Sequence, residues 1–450
     1  MVMTRFPVRG GVKTRLEPAL GADGAFELHS ELARYCVHRM HATALSGLAE
    51  LHVSADGGSA ASVRRWLGHA VRVHPQFGAD LGARLAYAAR AALRDGAPAV
   101  VLVGSDTPDL GREQVSAALG LLASSDVVLG PATDGGYYLI AMNASVADRA
   151  VPALLELVTM PWGTSRVLDA TLEAAAASGL STALLEPLSD VDRPEDLTVW
   201  EQILAQEEQL RVQPRLSVVI PALNEAAEIA SAVRGAHATG AIEVIVADGG
   251  STDATVDIAR KCGAMVVPSS RGRARQLNAG ADHASGDVLI FLHADSRLPA
   301  DALDHIGSAL RGSGVVLGSF RFRAGDPARA LDRLITSAGR LRQRVFKLPY
   351  GDMAPFLRHR DFDDLGGFLD VPVMEDYEFA LRCKRLGLLR TAGADCVTSA
   401  RAWHDHGLIR VTLVNARVIA GYRLGASFER LARWRAGILA PGPEKRPARM

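Results

Sequence analysis

Two clusters of polar residues in the C-terminal half of the chain each follow a short apolar run. The runs are 216–220 and 244–247, and the clusters are Pro221, Asn224 and Glu225 after the first, and Asp248, Gly250, Ser251 and Asp253 after the second. Open α/β sheets bind ligands at the carboxyl ends of their strands. A carboxylate such as Asp248 can accept hydrogen bonds from a nucleobase or a ribose, and glycine lets the backbone approach a ligand closely. The two clusters therefore predict a nucleotide site.

A third apolar run, 288–292, is followed by His293, Ala294 and Asp295. A carboxylate at the end of a buried strand can bind a divalent cation such as Mn²⁺ or Mg²⁺, and the cation neutralises a diphosphate leaving group. We therefore predict that Asp295 is a metal ligand. The alternative is a polar cap on a turn between a strand and a helix.

Three arginines, Arg271, Arg273 and Arg275, crowd the start of a predicted helix. In a chain whose net charge is zero, such a local cluster suits a diphosphate or a sugar, and a solvated charged face is the alternative. Further along, Glu375 and Asp376 open another predicted helix. The helix dipole alone favours acids at that position, so this pattern by itself leaves a structural role open.

The N-terminal part of the chain carries its own phosphate-binding pattern. Gly10 and Gly11 are followed closely by Lys13 and Arg15. A flexible turn with two cations suits a diphosphate or a triphosphate, so these four residues are predicted to bind a nucleotide. A buried strand then leads to Asp106, which is placed to hold Mg²⁺.

Bulk composition excludes several classes of protein. The 450 residues include 50 Lys and Arg and 50 Asp and Glu, so the net charge is zero, which argues against nucleic acid as the main partner. The four cysteines form no Cys-x-x-Cys pair, so neither a zinc site nor a disulfide framework is indicated. The N-terminal residues lack the apolar core of a signal peptide, and no apolar run reaches the ~18 residues that span a bilayer. We expect a cytoplasmic protein with reduced thiols.

Short apolar runs alternate with helical patterns through both halves of the chain, which is typical of a mostly parallel sheet with helices on both faces. The predicted strands are 51–54, 100–103, 127–129, 137–140, 218–220, 244–247, 265–267, 288–292 and 315–317, and the predicted helices are 83–93, 114–122, 228–238, 254–262 and 275–284. The pattern therefore predicts two α/β domains in tandem. We place an N-terminal domain at 1–202, a linker at 203–215, a second domain at 216–431 and a flexible tail at 432–450.

The C-terminal half resembles the family 2 glycosyltransferases, and most closely the bacterial subgroup called radical-SAM/selenodomain-associated transferase 2, which is linked with arsenosugar biosynthesis. The resemblance covers residues 216–431 and rests on five segments in order: ADGGSTD, SSRGRARQLNAGA, FLHADSRLP, LPYGD and VPVMEDYEF. It implies a GT-A-like, Rossmann-like fold. The activity that it implies is metal-dependent transfer of a sugar from a nucleotide-diphosphate sugar, with inversion.

This resemblance also implies roles for individual residues. It makes Asp376 the general base that takes the proton of the acceptor hydroxyl, with Glu375 as a positioning group beside it. Asp295 matches the second acid of the Asp-x-Asp motif that many glycosyltransferases carry, and His293 stands in place of the first. Asn278 fits the Arg/Asn-rich segment of the family and is grouped with the donor-binding residues.

Two further positions are implied by the same resemblance. Asp352 lies in a segment that resembles an acceptor-side loop, and His404 matches a further metal ligand of some relatives, although an isolated histidine is more often structural. The Gln-x-x-Arg-Trp motif of processive synthases is not intact, since Arg430 replaces the Gln. One transfer per acceptor is therefore expected.

The N-terminal part resembles the partner family, radical-SAM/selenodomain-associated transferase 1, over residues 1–202, through the segments named above and Pro-Trp-Gly-Thr-Ser at 161–165. The fold that this implies is similar to those of nucleotidyltransferases and GT-A glycosyltransferases. A VDTPEDL segment of sugar nucleotidyltransferases supplies a second metal carboxylate, and the matching residue here is Asp192. The alternative is a degenerate domain that is kept for structure or for dimerisation.

Residues 407–425 combine apolar side chains with Arg410, Arg417 and Arg423 near one helical face. A basic amphipathic helix can lie on an anionic bilayer, which would place the protein peripherally at the inner face of a membrane. Packing against the domain or against a dimer mate is the alternative.

Together these observations predict an inverting glycosyltransferase fused to a nucleotidyltransferase-like domain. The expected partners are a nucleotide-diphosphate sugar and a small or lipid acceptor that the motifs do not identify. Two other interpretations stay open. The N-terminal domain could supply the main activity as a sugar-phosphate nucleotidyltransferase, or the chain could be a non-catalytic scaffold that binds sugar nucleotides.

Overall fold

We describe a computed structural model of the chain, which covers residues 1–68, 71–312 and 314–439. The chain divides into two compact units. The first comprises Met1–Glu208 and Asp363–Gly366, and the second comprises Gln209–Phe362 and Gly367–Met450. Each unit is built on its own sheet and is described by itself.

The described strands of the first unit form one sheet in the order β3-β2-β1-β4-β6-β5-β7. They are β1 (Val2–Arg5), β2 (His52–Asp56), β3 (Arg72–Pro75), β4 (Ala99–Val103), β5 (Val127–Pro131), β6 (Tyr137–Asn143) and β7 (Thr182–Leu184). β3, β2, β1 and β4 are parallel, β6 is antiparallel to β4 and β5, and β5 is parallel to β7. The carboxyl ends of β2, β1 and β4 therefore share one edge of the sheet.

Helices cover both faces of this sheet. They are α1 (Glu17–Leu45), α2 (Ala60–Leu67), α3 (Leu81–Arg94), α4 (Arg112–Leu121), α5 (Ala147–Ala150), α6 (Val167–Ala177) and α7 (Leu197–Val212), with short helical turns at Thr14–Leu16, Ala144–Val146, Val151–Leu155 and Pro194–Asp196. α1 bends at Gly21, whose φ of 70° suits glycine. Leu28 and Leu32 of α1 then pack in one buried cluster with Trp200 of α7.

The described strands of the second unit form a sheet in the order β10-β9-β8-β11-β14-β13-β15-β12. They are β8 (Leu216–Ala222), β9 (Glu243–Asp248), β10 (Met265–Pro268), β11 (Val288–Phe291), β12 (Ser296–Arg297), β13 (Val315–Ala324), β14 (Phe356–Arg358) and β15 (Leu388–Thr398). β10, β9, β8 and β11 are parallel, and β14 is antiparallel to both β11 and β13. β15 is parallel to β13 and antiparallel to β12.

The remaining helices are α8 (Ile229–His237), α9 (Thr255–Lys261), α10 (Arg273–Ala281), α11 (Ala302–Leu310), α12 (Ala330–Phe346), α13 (His359–Asp364), α14 (Glu375–Leu386), α15 (Arg401–His406), α16 (Leu408–Arg423) and α17 (Phe428–Leu439), with a short turn at Gly351–Met353. The core of the second unit lies between the sheet and α8 and α11, where apolar side chains of β8, β9 and β11 are fully buried. Among the residues that the structure describes, no helix is both long and apolar enough to cross a membrane.

The predicted fold class is confirmed, since both sheets are mixed, mostly parallel and covered by helices. Every predicted strand and helix has a counterpart in the structure. The sequence analysis missed several short strands, among them β1 in the middle of the first sheet, between β2 and β4. A strand of four residues is too short to show a reliable pattern of its own.

Two segments differ from the predicted organisation. Residues 203–212, assigned to a linker between the domains, lie in helix α7, and the sequence does predict a helix from Pro194 to about Leu210. Helix α17 extends into the segment assigned to a flexible tail, because Leu431 and Trp434 pack with Val414 and Val418 of α16. Residues 440–450 of that predicted tail lie outside the described residues.

Two helical glycines of the second unit give opposite predictions for stability. A Cβ on Gly280 of α10 would overlap Cγ1 of Val219 in β8, whereas a Cβ on Gly235 of α8 would meet only Cδ of Arg297 at 4.0 Å. We expect Gly280→Ala to lower the free energy of unfolding by about 1–3 kcal/mol through overpacking. Gly235→Ala should raise it by about 0.5–1 kcal/mol, because alanine favours the helix. Urea unfolding followed by circular dichroism measures both, and equal effects would contradict the close packing at Gly280.

Candidate active site

The loops that follow β8 and β9 are bonded to each other. Asn224, whose φ of 55° is left-handed, accepts a hydrogen bond at Oδ1 from Thr252 N at 2.8 Å, and its own N–H donates to Ser251 Oγ at 2.9 Å. Asp253 Oδ2 accepts from Ala226 N at 3.2 Å. The structure therefore brings together the two polar clusters that the sequence singles out, and it uses many of their polar atoms to hold the loops.

Asp248, at the end of β9, is buried and closes the turn that follows it. Its Oδ2 accepts hydrogen bonds at 3.0 Å from the backbone N–H groups of Gly250 and Ser251. Gly250 has a φ of 91°, which suits glycine. Each oxygen of Asp248 has further lone pairs, so the turn fixes the carboxylate without using its whole capacity to accept hydrogen bonds.

A residue that the sequence analysis did not assign, Gln276, connects the ends of the two strands. Its Nε2 donates to Ala222 O at 2.7 Å and to Ala247 O at 2.9 Å, and the side chain is buried. The signal available in the sequence was a lone amide within the arginine-rich segment at the start of α10. Its two acceptors are far away along the chain, so the local pattern did not reveal them.

Two carboxylates of the predicted donor side converge on one guanidinium. Arg401 NH2 lies 3.2 Å from Glu225 Oε2 and 3.4 Å from Asp295 Oδ2. Glu225 follows β8 and Asp295 follows β11, and these neighbouring strands are parallel, so their ends share one edge of the sheet. Sequence analysis did not identify Arg401, which precedes the predicted metal ligand His404 by three positions.

The two histidines near the predicted metal site have different environments. Burial and the nearby charge of Arg273 lower the pKa of His293 to about 3, so its imidazole is neutral at physiological pH. His404 Nε2 lies 2.8 Å from Oδ1 of the buried Asp332 on α12. The structure thus gives His404 a partner within the fold.

A divalent cation fits the residues around Asp295. Within the described part of the chain, no group of three or more His, Cys, Asp or Glu side chains could hold a metal by itself. Mg²⁺ in transferases, however, is usually held by one or two carboxylates together with substrate phosphates. Asp295 and Glu225 already share one positive charge, that of Arg401, so their oxygens have the chemistry that such a cation requires.

The predicted base, Asp376, stands in the first turn of α14 with its carboxylate fixed by the backbone. Oδ2 accepts a hydrogen bond from Gly351 N at 2.8 Å, and Oδ1 accepts one from Tyr377 N at 2.7 Å. Met374, just before the helix, has a left-handed φ of 72°, so the helix begins abruptly at the acids. The contact with Gly351 joins α14 to the loop that follows α12.

Glu375 lies beside the base and is buried. Its Oε1 is 3.2 Å from NH1 of Arg273, the first residue of α10. Burial, followed by the charge of Asp376, raises the pKa of Glu375, and the charge of Arg273 opposes this shift. Arg435 of α17 lies near the same charged groups. Burial and the charge of Arg273 lower the pKa of its guanidinium, and the charges of Glu375 and Asp376 oppose that change. Sequence analysis did not identify Arg435 as a site residue.

The loop before Asp376 carries further groups. Asp352 lies 3.3 Å from NH2 of Arg342 on α12, and burial raises the pKa of its carboxyl. The Arg342 guanidinium also lies 3.9 Å from the ring centre of Tyr350. The Tyr350 hydroxyl is buried without a hydrogen-bond partner among the described residues, and burial raises its pKa to about 12.

The remaining predicted donor-site residues are held in different ways. Arg275 contacts Asp370 at 2.9 Å in an exposed ion pair. Asn278 exchanges two hydrogen bonds with the backbone of Phe368, at 2.8 and 2.9 Å, which uses its amide for structure. Arg271 is exposed beside the start of α10, and Pro221 lies within the last residues of β8.

The first unit has a separate cluster of charges at the edge of its sheet. The side chain of Lys13 is largely buried, and its Nζ lies 3.0 Å from Asp106 Oδ2 and 3.3 Å from Asp192 Oδ1. Arg15 contacts the other oxygen of Asp192 at 2.7 Å. Burial alone would lower the pKa of Lys13, but Asp106 and Asp192 outweigh burial and raise it. Burial, Asp106 and Asp134 raise the pKa of Asp190 to about 7.

These charges line a cavity of about 580 Å³. Lys13, Arg15, Asp106 and Asp192 therefore lie together, as the sequence predicted, whereas Gly10 and Gly11 are not among the lining residues. Tyr137 and Trp162 form an aromatic part of the wall, with ring centres 6.4 Å apart. A cavity with cations, carboxylates and aromatic rings has the chemistry of a nucleotide pocket.

Family models match two separate parts of the chain. Residues 217–365 match the model described as glycosyl transferase family 2. Residues 39–164 match the model described as an uncharacterized protein conserved in bacteria, DUF2064. The two matches agree with the fusion that the sequence analysis predicted.

Several glycosyltransferases are similar to part of this chain. A PGL/p-HBAD biosynthesis glycosyltransferase of Mycobacterium bovis is 32% identical over 191 residues, which cover 38% of this chain and 70% of that protein. Glycosyltransferase AglJ of Haloferax volcanii is 29% identical over 191 residues, which cover 39% of this chain and 60% of that protein.

Among solved structures, a putative nucleotide-diphospho-sugar transferase from Desulfovibrio desulfuricans is 33% identical, covers 47% of this chain and 89% of its own, and has a TM-score of 0.39. A glucosyl-3-phosphoglycerate synthase from Mycobacterium tuberculosis, in complex with Mn²⁺, UDP and glucosyl-3-phosphoglycerate, is 23% identical, covers 43% of this chain and 74% of its own, and has a TM-score of 0.30.

Proposed function

Because this chain belongs to glycosyl transferase family 2 and is a glycosyltransferase that uses a nucleotide sugar, we propose that its second unit transfers the sugar to an acceptor hydroxyl with inversion at the anomeric carbon. The observation that carries this proposal is the fixed carboxylate of Asp376. Two backbone N–H groups, those of Gly351 and Tyr377, orient it at the start of α14. A general base needs such a fixed position within reach of the proton that it removes.

The proposed reaction is a single displacement. The acceptor oxygen attacks the anomeric carbon and gives its proton to Asp376, while the bond from that carbon to the diphosphate oxygen breaks. The nucleoside diphosphate leaves with the bonding electrons. Attack from the face opposite the leaving group inverts the configuration, so no covalent intermediate with the protein is needed. Glu375 is a positioning residue in this proposal, since its contact with Arg273 holds the first turn of α14 against α10.

The loops after β8 and β9 form the donor side of the proposed site. Asp248 and Glu225 would bind the nucleoside, since both lie at the carboxyl edge of the sheet. Arg271 and Arg273, at the start of α10, would face the diphosphate. A divalent cation held by Asp295 would neutralise charge on the leaving group when bound. The contact of Arg401 with the same carboxylate makes this arginine a further candidate for that side of the site.

The loop 348–353 forms the acceptor side of the proposed site. Gly351 touches the base, and the buried Tyr350 hydroxyl has no partner among the described residues. A buried polar group without a partner costs about 1–3 kcal/mol, so an acceptor that accepts its hydrogen bond would gain affinity. Asp352, paired with Arg342, would hold the loop or contact the acceptor.

Replacing the base should separate binding from transfer. We expect Asp376→Asn to bind the nucleotide sugar normally and to lose about 10²–10⁴-fold in transfer rate, because the amide cannot take the proton. Donor affinity by calorimetry and nucleoside diphosphate release by a coupled assay measure the two effects. Asp304→Asn, which alters an exposed carboxylate on α11, is the matched control. Unchanged turnover in Asp376→Asn would remove this residue as the base.

The cation should act through Asp295. We expect hydrolysis of UDP-, GDP-, dTDP- or ADP-sugars by the full-length chain to need Mn²⁺ or Mg²⁺, to stop with a chelator, and to fall at least tenfold in Asp295→Ala. His404→Ala should keep most of the activity, since His404 contacts Asp332. Hydrolysis that persists in Asp295→Ala with undiminished metal dependence would contradict the assignment, and donor binding without any turnover would favour a non-catalytic scaffold.

The first unit suggests a second function, because its cavity combines Lys13 and Arg15 with Asp106 and Asp192. We propose that it binds a nucleoside triphosphate, with Asp106 and Asp192 able to hold Mg²⁺, and that it joins the nucleotide to a sugar phosphate with release of pyrophosphate. The proposal is supported by Lys13, whose ion pairs hold a cation at the wall of the cavity, since cations are the usual partners of phosphates.

This second function predicts a separate loss of activity. Asp106→Ala should abolish pyrophosphate release from a nucleoside triphosphate and a sugar phosphate, because it removes the carboxylate that contacts Lys13, and it should leave Asp376-dependent donor hydrolysis unchanged. Asp23→Ala, which breaks an exposed ion pair with Arg9, is the control. The proposal would be overturned if the chain neither bound UTP, GTP, dTTP or ATP nor released pyrophosphate from any of them.

A further inference from the structure

Helix α12 exposes a continuous apolar stripe. Leu331, Leu334, Ala338, Leu341 and Val345 recur at spacings of three and four, so they share one face of the helix. All five are exposed, and Leu341 and Val345 keep 62% and 63% of their accessible surface. The opposite side of α12 carries Ile335 and Asp332 into the fold.

Helix α16 repeats this arrangement. Ile409, Leu413, Ala416 and Ala420 form one exposed stripe, which the exposed Leu424 extends just beyond the helix. Ile409 and Leu413 keep 76% and 65% of their accessible surface. The inner side of α16 is a different set of residues, Val411, Val414 and Val418, which are buried. Residues 407–425 therefore carry apolar side chains that do not pack within the unit, in addition to those that do.

The two stripes meet at a groove. Leu334 of α12 lines the same cavity, of about 840 Å³, as Ile409, Leu413 and Val414 of α16. Exposed apolar surfaces that continue across two helices are uncommon on soluble monomers and mark an interaction site. We call this surface, formed by the exposed residues of α12 and α16, the apolar face.

The charged side chains that α12 and α16 themselves expose are positive. Neither α12 nor α16 exposes an acidic side chain, because the acid of α12, Asp332, is buried against His404 and α16 contains none. Exposed arginines flank both stripes: Arg333 and Arg344 on α12, and Arg410, Arg417 and Arg423 on α16. An apolar stripe with basic flanks complements the acyl chains and phosphate groups of an anionic lipid surface.

We propose that the apolar face binds the surface of an anionic lipid bilayer. A second copy of this chain fits less well, since a symmetric contact between two such faces would bring arginines against arginines. Residues 440–450 are also a poor cover, because they contain Lys445, Arg446, Arg449 and three prolines and little apolar area.

The apolar face is connected to the catalytic groups by a short piece of chain. α12 ends at Phe346, and five residues later Gly351 donates its hydrogen bond to Asp376. Arg342, also on α12, contacts Asp352 of the same loop. The inference thus deepens the proposed function and rests on it, because a bilayer on the apolar face would lie next to the acceptor side of the site and would present amphiphilic acceptors there.

The test is vesicle binding by the full-length chain. Vesicles of phosphatidylcholine and phosphatidylglycerol in equal amounts are compared with vesicles of phosphatidylcholine alone in a co-sedimentation assay. We expect binding to the anionic vesicles, weakened about tenfold or more by Leu341→Gln with Leu413→Gln and by Arg344→Gln with Arg410→Gln. Ile242→Gln with Leu388→Gln, which alters exposed apolar residues elsewhere on the same unit, is the matched control and should bind normally.

Three results would overturn the proposal. The first is absence of binding, and the second is equal binding by all variants. The third is a lipid-free dimer, seen by light scattering, that Leu341→Gln with Leu413→Gln converts to a monomer, since the face would then join copies of the chain. Donor hydrolysis in solution, which needs no vesicles, should be unchanged in these variants. Its absence in the unaltered chain would count against the proposed function and not against the lipid contact.

Discussion

The side-chain amide of Gln276 holds the ends of β8 and β9 at a fixed distance, and the proposed donor side of the second unit depends on that contact. Its Nε2 donates to the last carbonyl of β8 and to the carbonyl before the end of β9. Asn224 stands on the loop that follows β8, Asp248 is the last residue of β9, and the bonds between Asn224 and the loop after β9 require the strand ends to stay in register. Without the amide, the carbonyls of Ala222 and Ala247 would each lose one hydrogen bond, although Ala222 O would keep the bond that it accepts from Gly249 N.

The second constraint is that clustered carboxylates need cations beside them, and each unit meets it with its own ion pairs. The compensating pairs are Arg401 with Glu225 and Asp295, Arg273 with Glu375, and Arg342 with Asp352 in the second unit, and Lys13 with Asp106 and Asp192 in the first. Carboxylates that are brought together at a sheet edge repel one another unless a cation lies between them. These pairs keep the carboxylates in place before a ligand arrives.

Sequence analysis predicted the parts of the site that are encoded locally. A strand that ends in polar residues places them at a known edge of the sheet, so the positions of Asp248 and Asp295 follow from their own neighbours, while their roles stay predictions. The contact between Gly351 and Asp376 could not be found in this way, since it depends on how a loop folds against α14. For the same reason His404 was predicted as a metal ligand from its position in a motif, whereas its partner in the structure is Asp332.

The position of Arg401 between two carboxylates has a consequence for the order in which ligands arrive. A free divalent ion at the proposed site would have to displace the guanidinium of Arg401 from Glu225 and Asp295, so it would gain little net attraction. An ion that arrives already bound to a diphosphate brings negative charge with it, and the diphosphate can then pair with the guanidinium of Arg401 in place of the two carboxylates. We therefore expect the resting site to select the metal–nucleotide complex over the bare ion, so that metal occupancy follows the supply of donor.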